Sequence, residues 1–150
     1  MRAVIATLDV LEGQAWGKKS AALAADMRER LSAALAPYEM FKAVRGIGMF
    51  NGIEWQAPRQ LRRKISFETI KRIHPAIFGQ ILVMQLFREK GILSQICGNN
   101  FMVLKAVPPL VTSEEQIDHY IKSVTEVADM IHNSDALWSE ALGVVTRTII

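Results

Sequence analysis

A single lysine interrupts the stretch of this sequence that most clearly asks for a chemical explanation. Residues 101–107, FMVLKAV, are apolar apart from Lys105, and two prolines follow. On a short antiparallel strand with one wet face, a lysine stem covers apolar surface while its ammonium reaches water. If the ammonium instead lined a closed site, burial would lower its pKa. The residues themselves leave the surface role and the site role of Lys105 open.

Other residues with reactive side chains are sparse. Cys97 is the only cysteine, so no intramolecular disulfide can form, and this usage fits a reducing compartment such as the cytoplasm. We interpret Cys97 as a small buried hydrophobe rather than a nucleophile. The histidines His74, His119 and His132 have no cysteine or carboxylate at metal-ligand spacing, and His119 and His132 are expected on the wet side of a helix. The sequence therefore predicts no metal site.

Two further patterns resemble functional motifs but are better explained structurally. Gly46 and Gly48 are followed by a glycine at position 52 rather than 51, so the G-x-G-x-x-G dinucleotide motif fails. Glu114 and Glu115 suit the first turn of a helix, where the helix dipole favours carboxylates, better than they suit an acid and base pair. No P-loop, G-x-S-x-G or H-E-x-x-H motif occurs in the sequence.

Composition describes a chain that folds as about one domain. The 150 residues are 50% hydrophobic and 22% charged, which is ordinary for a globular protein. No apolar run approaches the length of a membrane span, and the N-terminus does not match a signal peptide. We therefore predict a cytoplasmic protein without a membrane partner.

The net charge of +3 is concentrated in one segment. Between Arg59 and His74, six cations stand against Glu68 alone, so the rest of the chain is slightly acidic. A solvated loop or helix start explains this segment, and contact with an anionic partner or a neighbouring subunit is the alternative. The cations of the segment are Arg59, Arg62, Arg63, Lys64, Lys71 and Arg72.

Periodicity predicts a mixed order of helices and strands that would position these residues. The predicted elements are helices over 2–12 and 15–36, one kinked or two short strands over 41–56, a basic linker from Pro58, a buried helix over 76–90, strands over 92–98 and 101–107 joined by a hairpin, a helix from Thr112 or Ser113, and a last helix over 135–146. The side chains predicted to face inward are Ala22, Leu23, Met27, Leu31 and Leu35, then Ile117, Ile121, Val124, Val127 and Ile131, and finally Leu137, Trp138, Ala141 and Leu142.

The fold class that follows is α/β of the α+β type, with a small, mostly antiparallel sheet of three to four strands packed with helices. We divide the single domain 1–150 into a helical lead-in over 1–36, the sheet and its helices over 37–132, and a C-terminal helical extension over 133–150. No internal repeat or low-complexity tract breaks this unit.

The ordered pieces ATLDVLE, VRGIGMFNGIEW, REKGIL, CGNN and VLKAVPPLVTSEEQID resemble the C-terminal part of class III aminotransferases. These are pyridoxal-phosphate enzymes of fold type I, related to acetylornithine and ornithine aminotransferases. The resemblance runs from about residue 3 to about residue 132. It implies the small C-terminal domain of a much longer, homodimeric enzyme that transfers an amino group between an amine or amino acid and a keto acid or aldehyde.

The resemblance also implies which parts of the enzyme lie elsewhere. In the family, the Schiff-base lysine, the aspartate at the pyridinium nitrogen and the glycine-rich phosphate contacts precede the part that matches this chain. We therefore expect no catalytic and no cofactor-binding residue here, no pyridoxal phosphate on this chain alone, and no activity without the missing N-terminal cofactor-binding domain. Met1 falls within what the family has as a continuing helix, which favours truncation.

Lys105 stands where many members of the family have an arginine that holds a substrate carboxylate with a planar, two-bonded fork. The resemblance thus assigns Lys105 to substrate binding. Because lysine keeps the charge but loses the fork, we expect an amino donor or acceptor whose carboxylate is elsewhere or absent, such as a diamine or an aldehyde.

The resemblance gives the basic segment a possible role, and two other functions remain open. Residues 56–80 look like a subgroup-specific insertion that shapes the rim of an active site or a dimer surface. A stand-alone module that binds a small molecule or a protein is one alternative to the enzyme. A nucleic-acid role through Arg59 to Arg72 is less favoured, because the segment lacks an aromatic ladder or a base-reading helix.

Overall fold

The computed structural model describes residues 2–13, 16–98, 100–134, 138 and 143. Within these residues, helices pack against one face of a small sheet, which is the α+β arrangement predicted from the periodicity. The elements are α1 (Arg2–Gly13), α2 (Trp16–Leu35), β1 (Phe41–Ile47), β2 (Phe50–Trp55), α3 (Leu61–Ile73), α4 (Ile77–Lys90), β3 (Val103–Ala106) and α5 (Glu114–Asn133).

The sheet has three antiparallel strands in the order β1-β2-β3, which confirms the predicted small antiparallel sheet. The segment 41–56 forms two strands, and Gly48 turns the hairpin between them with a φ of 51°. Glycine suits this turn because it adopts positive φ without a steric cost. Since the hairpin leads from strand to strand and not into a helix, the glycines around it do not form a dinucleotide loop.

Alternation along the strands gives the sheet two different faces. We call the face toward the helices the inner face; it carries Ile53, Trp55, Leu104 and Ala106, all buried. The opposite side, the outer face, carries Arg45, Gly52, Glu54 and Lys105.

Helices α2 and α5 supply most of the core that covers the inner face. Ser113 caps α5 through a capping box with Gln116, which resolves the choice between Thr112 and Ser113. The residues predicted to line α5 are all buried. In α2, Ala22 is exposed and Ala24 is buried instead, because the buried positions recur every three to four residues from Ser20.

Two predictions about the middle of the chain are wrong in part. The basic segment is not a linker: it forms the 13-residue helix α3, which buries Phe67 and Ile70. Helix α4 ends at Gly91 as predicted, where a φ of 67° closes the last turn. However, α4 is not buried all round, because Met84 and Phe87 are exposed on its second face.

The ends of the described chain differ in how they pack. No residue of α1 is buried, and its large aliphatic side chains Val4, Ile5, Leu8 and Leu11 are exposed. At the other end, the predicted helix 135–146 lies outside the described residues except for two positions. One of these, Trp138, is buried and donates a hydrogen bond from Nε1 to the carbonyl oxygen of Ile131 at 2.9 Å.

Candidate functional site

Lys105 is held at three points by the extended segment 92–97 beside β3. Its amide N–H donates to the carbonyl oxygen of Gln95, and its ammonium donates to Oε1 of the same residue, both at 2.8 Å. Its carbonyl oxygen accepts from the hydroxyl of Ser94 at 2.8 Å. The predicted hairpin is therefore present, although segment 92–98 forms only an isolated bridge, between Ile96 and Leu104, instead of a full strand.

Lys105 also lines a cavity of about 930 Å³. Three parts of the chain form its walls: the segment after α4, the end of β3 with the two prolines, and the first half of α5. The capping box at Ser113 fixes where α5 begins and so sets one wall. Cavities of this size hold small molecules. The structure thus places the sequence-predicted Lys105 in a cavity wall.

Tyr120 of α5 lines the same cavity and carries an unusual polar group. The side chain is half-buried, but its hydroxyl oxygen is enclosed and has no hydrogen-bond partner among the described residues. Burial raises the pKa of the Tyr120 hydroxyl, so the group stays neutral and can donate. The sequence prediction did not include Tyr120, because a tyrosine on an amphipathic helix is an ordinary core residue.

The outer face carries a cluster of charges next to Lys105. Glu54 is buried and accepts hydrogen bonds from Lys42, at 2.7 Å, and from Arg45. The hydrogen bond from Lys42, followed by the charges of Arg45 and Lys42, lowers the pKa of Glu54 against the opposing effect of burial. Glu54 thus neutralises part of the positive charge of this face, and the sequence prediction did not include it.

The remaining reactive residues do not assemble into a second site. His74 is exposed and accepts from the amide of Ala76, and the exposed His119 lies 3.3 Å from the carbonyl oxygen of Lys90. His132 is half-buried against the edge of Tyr38, so the prediction of a wet position was wrong for His132. Among the described residues, no group of three or more His, Cys, Asp or Glu side chains could hold a metal ion.

Glu114 and Glu115 lie as their structural explanation predicts, whereas Cys97 is less buried than predicted. Glu114 and Glu115 lie in the exposed first turn of α5. Cys97 is half-buried, and its amide pairs with the carbonyl oxygen of Val103. In the described parts of the chain, no helix is both long and apolar enough to cross a bilayer.

Gln95 lines the cavity beside Lys105 and was missed by the sequence prediction. The turn-rich triplet that begins at Gly98 was predicted to join two strands. Pairing outward from that triplet places Gln95 opposite Val103, whereas the observed pairing of Ile96 with Leu104 places Gln95 opposite Lys105. Because the observed turn is two residues longer than the triplet, the sequence prediction did not bring Gln95 to Lys105.

The described residues do not fit pyridoxal phosphate as a complete cofactor site. A Schiff-base lysine must be enclosed and free to bond the cofactor. Every lysine of this chain is either exposed or bonded to a neighbouring side chain; the two half-buried ones, Lys90 and Lys105, bond to Glu126 and Gln95. The cavity instead offers the charge of Lys105 and hydrogen-bond donors.

Comparison with known proteins agrees with the fold. The family model for aminotransferase class III matches residues 1–128. A curated relative, the diaminobutyrate–2-oxoglutarate transaminase of Halomonas elongata, is 25% identical over 137 residues, which cover 89% of this chain and 27% of the relative.

Solved structures give the same picture. A phospholyase from Arthrobacter, in complex with phosphoethanolamine, has a TM-score of 0.67 at 26% identity, over 83% of this chain and 27% of its own. The ornithine aminotransferase of Plasmodium yoelii shares the fold, with a TM-score of 0.62 at 18% identity over 83% of this chain and 28% of its own. This chain corresponds to a minor part of each relative's length. By the match over residues 1–128, the chain belongs to the aminotransferase class III family.

Proposed function

We propose that this chain is the C-terminal small domain of a pyridoxal-phosphate-dependent class III aminotransferase, and that it binds part of the substrate through Lys105. The observation that carries the proposal is the position of Lys105 in the wall of a cavity of about 930 Å³. When bound in the complete protein, pyridoxal phosphate supplies the electron sink for amino-group transfer. The contribution of this chain is to bind and orient the substrate.

The proposal requires a partner domain that binds the cofactor, and α1 supports such a contact. Its aliphatic side chains include Val4, Ile5 and Leu8, which are between 51% and 62% exposed to solvent. A row of exposed aliphatic residues on one helix marks an interaction surface. We propose that α1 packs against the N-terminal cofactor-binding domain of a cytoplasmic homodimer.

The substrate class follows from the residue at position 105. A lysine has one compact charge in place of the planar fork of an arginine, so it is poorly suited to align an α-carboxylate. We propose an amino donor or acceptor whose anionic group is elsewhere or absent, as in a diamine or an aldehyde. The amine named for the Halomonas relative, diaminobutyrate, carries a second amino group away from its carboxylate.

A second candidate function is supported by the same lysine. Lysine binds phosphate well because a point charge does not need to match a planar acceptor. The relative from Arthrobacter is described as a phospholyase in complex with phosphoethanolamine, an amine with a phosphate and no carboxylate. A lyase that acts on a phosphorylated amine would use the same cofactor and the same cavity.

Helix α3 is proposed to form the rim of the active site or part of the dimer surface. Its exposed side combines the apolar Leu61 and Ile65 with cations such as Lys64. We expect the change of Arg62 and Arg63 to glutamine to alter activity or dimer affinity in the full-length protein. If both quantities stay the same, α3 has neither role.

The native gene product in a cell extract tests the proposed function. We expect an intact mass far above 16.8 kDa, a yellow protein, and borohydride reduction that fixes the cofactor on a lysine outside this sequence. A product of 16.8 kDa without a cofactor would contradict the proposal and favour a stand-alone binding module. Binding of an oligonucleotide that weakens steeply with salt would instead support the nucleic-acid alternative.

The same preparation separates the two enzymatic candidates. An aminotransferase converts its cofactor to the amine form when it is mixed with an amino donor alone, and a keto acid restores the original spectrum. A phospholyase releases inorganic phosphate from phosphoethanolamine without a keto acid. Each outcome therefore has its own readout, and both use the intact protein.

A further inference from the structure

One row of residues crosses the outer face from edge to edge. Arg45 of β1 pairs with Gly52 of β2, and Gly52 pairs with Lys105 of β3. The row continues to Gln95, because the amide of Lys105 donates to the carbonyl oxygen of Gln95. Directly opposite residues of antiparallel segments project to the same side. The side chains of Lys105 and Gln95 are therefore neighbours on one surface.

The hydrogen bond between these two side chains fixes which way the carboxamide points. A lysine ammonium can only donate, so the atom of Gln95 that faces it at 2.8 Å must be the oxygen, Oε1. The NH₂ group of the same carboxamide keeps its two N–H donors, because the ammonium bonds only to the oxygen. The ammonium keeps further N–H groups of its own, because one bond to Gln95 uses only one of three.

The pair thus offers what a lysine alone lacks. An arginine holds two oxygens of one anion because its fork presents two N–H donors at once. Here the ammonium of Lys105 and the carboxamide of Gln95 present donors from two different side chains. The charge is also available, since no carboxylate among the described residues pairs with Lys105, whereas Arg45 at the other end of the row is bonded to Glu54.

Gly52 keeps the space beside Lys105 open. It lies directly across from Lys105 and has no side chain. A Cβ placed on Gly52 would lie 2.8 Å from Cγ1 of Val103, which is closer than real Cβ contacts. A larger residue at position 52 would therefore disturb Val103 and fill the gap between Arg45 and Lys105.

We propose that Lys105 and Gln95 together form a two-donor seat for an oxyanion group of the substrate, either a carboxylate away from the reacting amine or a phosphate. Gln95 acts as a specificity-determining residue, because it supplies the second donor that the family's arginine would supply by itself. The inference rests on the proposed function in that it assigns the substrate class of the same cavity. Unlike the proposed function, the inference can be tested without cofactor or catalytic activity, because anion binding is measured directly.

The test is a rescue experiment on the isotope-labelled chain. Sodium acetate and inorganic phosphate are titrated separately at low ionic strength, and the NMR signals of the Gly52 and Ala106 amides report binding in every variant. We expect Gln95→Leu to weaken binding about tenfold, which corresponds to the loss of one hydrogen bond to a charged group. Lys105→Met is expected to abolish binding, and Lys64→Met, which removes an exposed cation of α3, serves as the matched control.

The double variant decides the question. If the pair replaces an arginine fork, Lys105→Arg in the Gln95→Leu background restores affinity to within about threefold of the wild type, because a guanidinium provides both donors. A merely structural role of Gln95 would not produce this rescue. The acetate and phosphate arms tell the two sources of the anion apart, since the true class of substrate is the one whose affinity depends on Gln95.

Three results would overturn the proposal: no binding of either anion by the wild type, no effect of Gln95→Leu, or no rescue by Lys105→Arg. Failure of the proposed function looks different. In that case the anion would bind with the expected rescue, but the complete gene product would carry no pyridoxal phosphate. The seat would then belong to a binding module for anionic metabolites.

Discussion

The two faces of the three-stranded sheet differ in environment: the inner face is buried in the core, and the outer face carries charges. On the inner face, Ile53 and Leu104 are buried in the hydrophobic core, to which α2, α4 and α5 also contribute. On the outer face, Glu54 sits between two cations, and Lys105 borders the cavity. Because successive residues point to opposite faces, one strand can hold the domain together and serve a ligand at once. Stability and chemistry are therefore separable by single substitutions at adjacent positions.

Leu104→Ala is expected to have the largest effect. Leu104 is fully buried in the core, so its truncation removes apolar contacts and leaves a cavity that costs about 2–5 kcal/mol of unfolding free energy. Chemical denaturation monitored by circular dichroism measures the loss. Val103→Ala, one position away on the outer face, is the control and should cost clearly less because Val103 is only half-buried. Equal losses would erase the distinction between the two faces.

The inner face is also the part that the sequence predicted best. Apolar residues at helical spacing identified the buried side of α5, and the capping pattern located its start at Thr112 or Ser113. Such patterns are readable because burial requires apolar side chains at every turn. The misassigned Ala22 shows the limit: alanine fits either side of a helix, so its type carries little information about burial.

The outer face was predicted poorly for the opposite reason. Lys105 was recognised only through the family resemblance, and its partner Gln95 lies ten positions away across a turn. Polar residues that meet through tertiary structure have no period of their own, so Glu54 and Tyr120 left no pattern to read. Helix α3 was taken for a linker because its cations outweigh the short apolar stripe of Phe67 and Ile70.

Glu54→Gln is the next largest expected effect and probes the charges of the outer face. Removing the carboxylate charge weakens the bonds from Lys42 and Arg45, which we expect to cost about 1–3 kcal/mol at pH 7. The pKa of Glu54 in the folded chain is lowered from its usual 4.5. Its contribution is therefore fully present above pH 4.5 and is lost as the pH falls through the folded pKa.

Denaturation of both proteins across pH 3 to 7 checks this sign. The stability difference between wild type and Glu54→Gln should be greatest near neutral pH and should shrink in acid. Asp9→Asn, which removes an exposed carboxylate of helix α1, is the matched control. A difference that grew in acid would mean that Glu54 is protonated more readily in the folded chain than in the unfolded chain.

Tyr120→Phe tests whether the enclosed hydroxyl of Tyr120 lowers the stability of the fold. The enclosed hydroxyl has no partner among the described residues, so folding pays for its desolvation without a compensating bond. We expect the substitution to raise the unfolding free energy by about 1 kcal/mol. Tyr38→Phe is the matched control and should not stabilise, because the Tyr38 hydroxyl donates to Asp129 at 3.5 Å. Destabilisation by Tyr120→Phe would mean that the hydroxyl has a partner in solution.

Lys105→Met should have the smallest effect on stability, and this makes it the sharpest test of the comparison. The ammonium makes one exposed hydrogen bond, to Gln95, and the stem of a methionine covers nearly the same apolar surface. We therefore expect the unfolding free energy to change by no more than about 0.5 kcal/mol, as measured by the same denaturation. Truncation of the preceding residue, by Leu104→Ala, is expected to lower the unfolding free energy several times more. If Lys105→Met lowered the unfolding free energy as much as Leu104→Ala, Lys105 would be needed for the stability of the domain. The outer face would then not be a surface whose residues serve only a ligand.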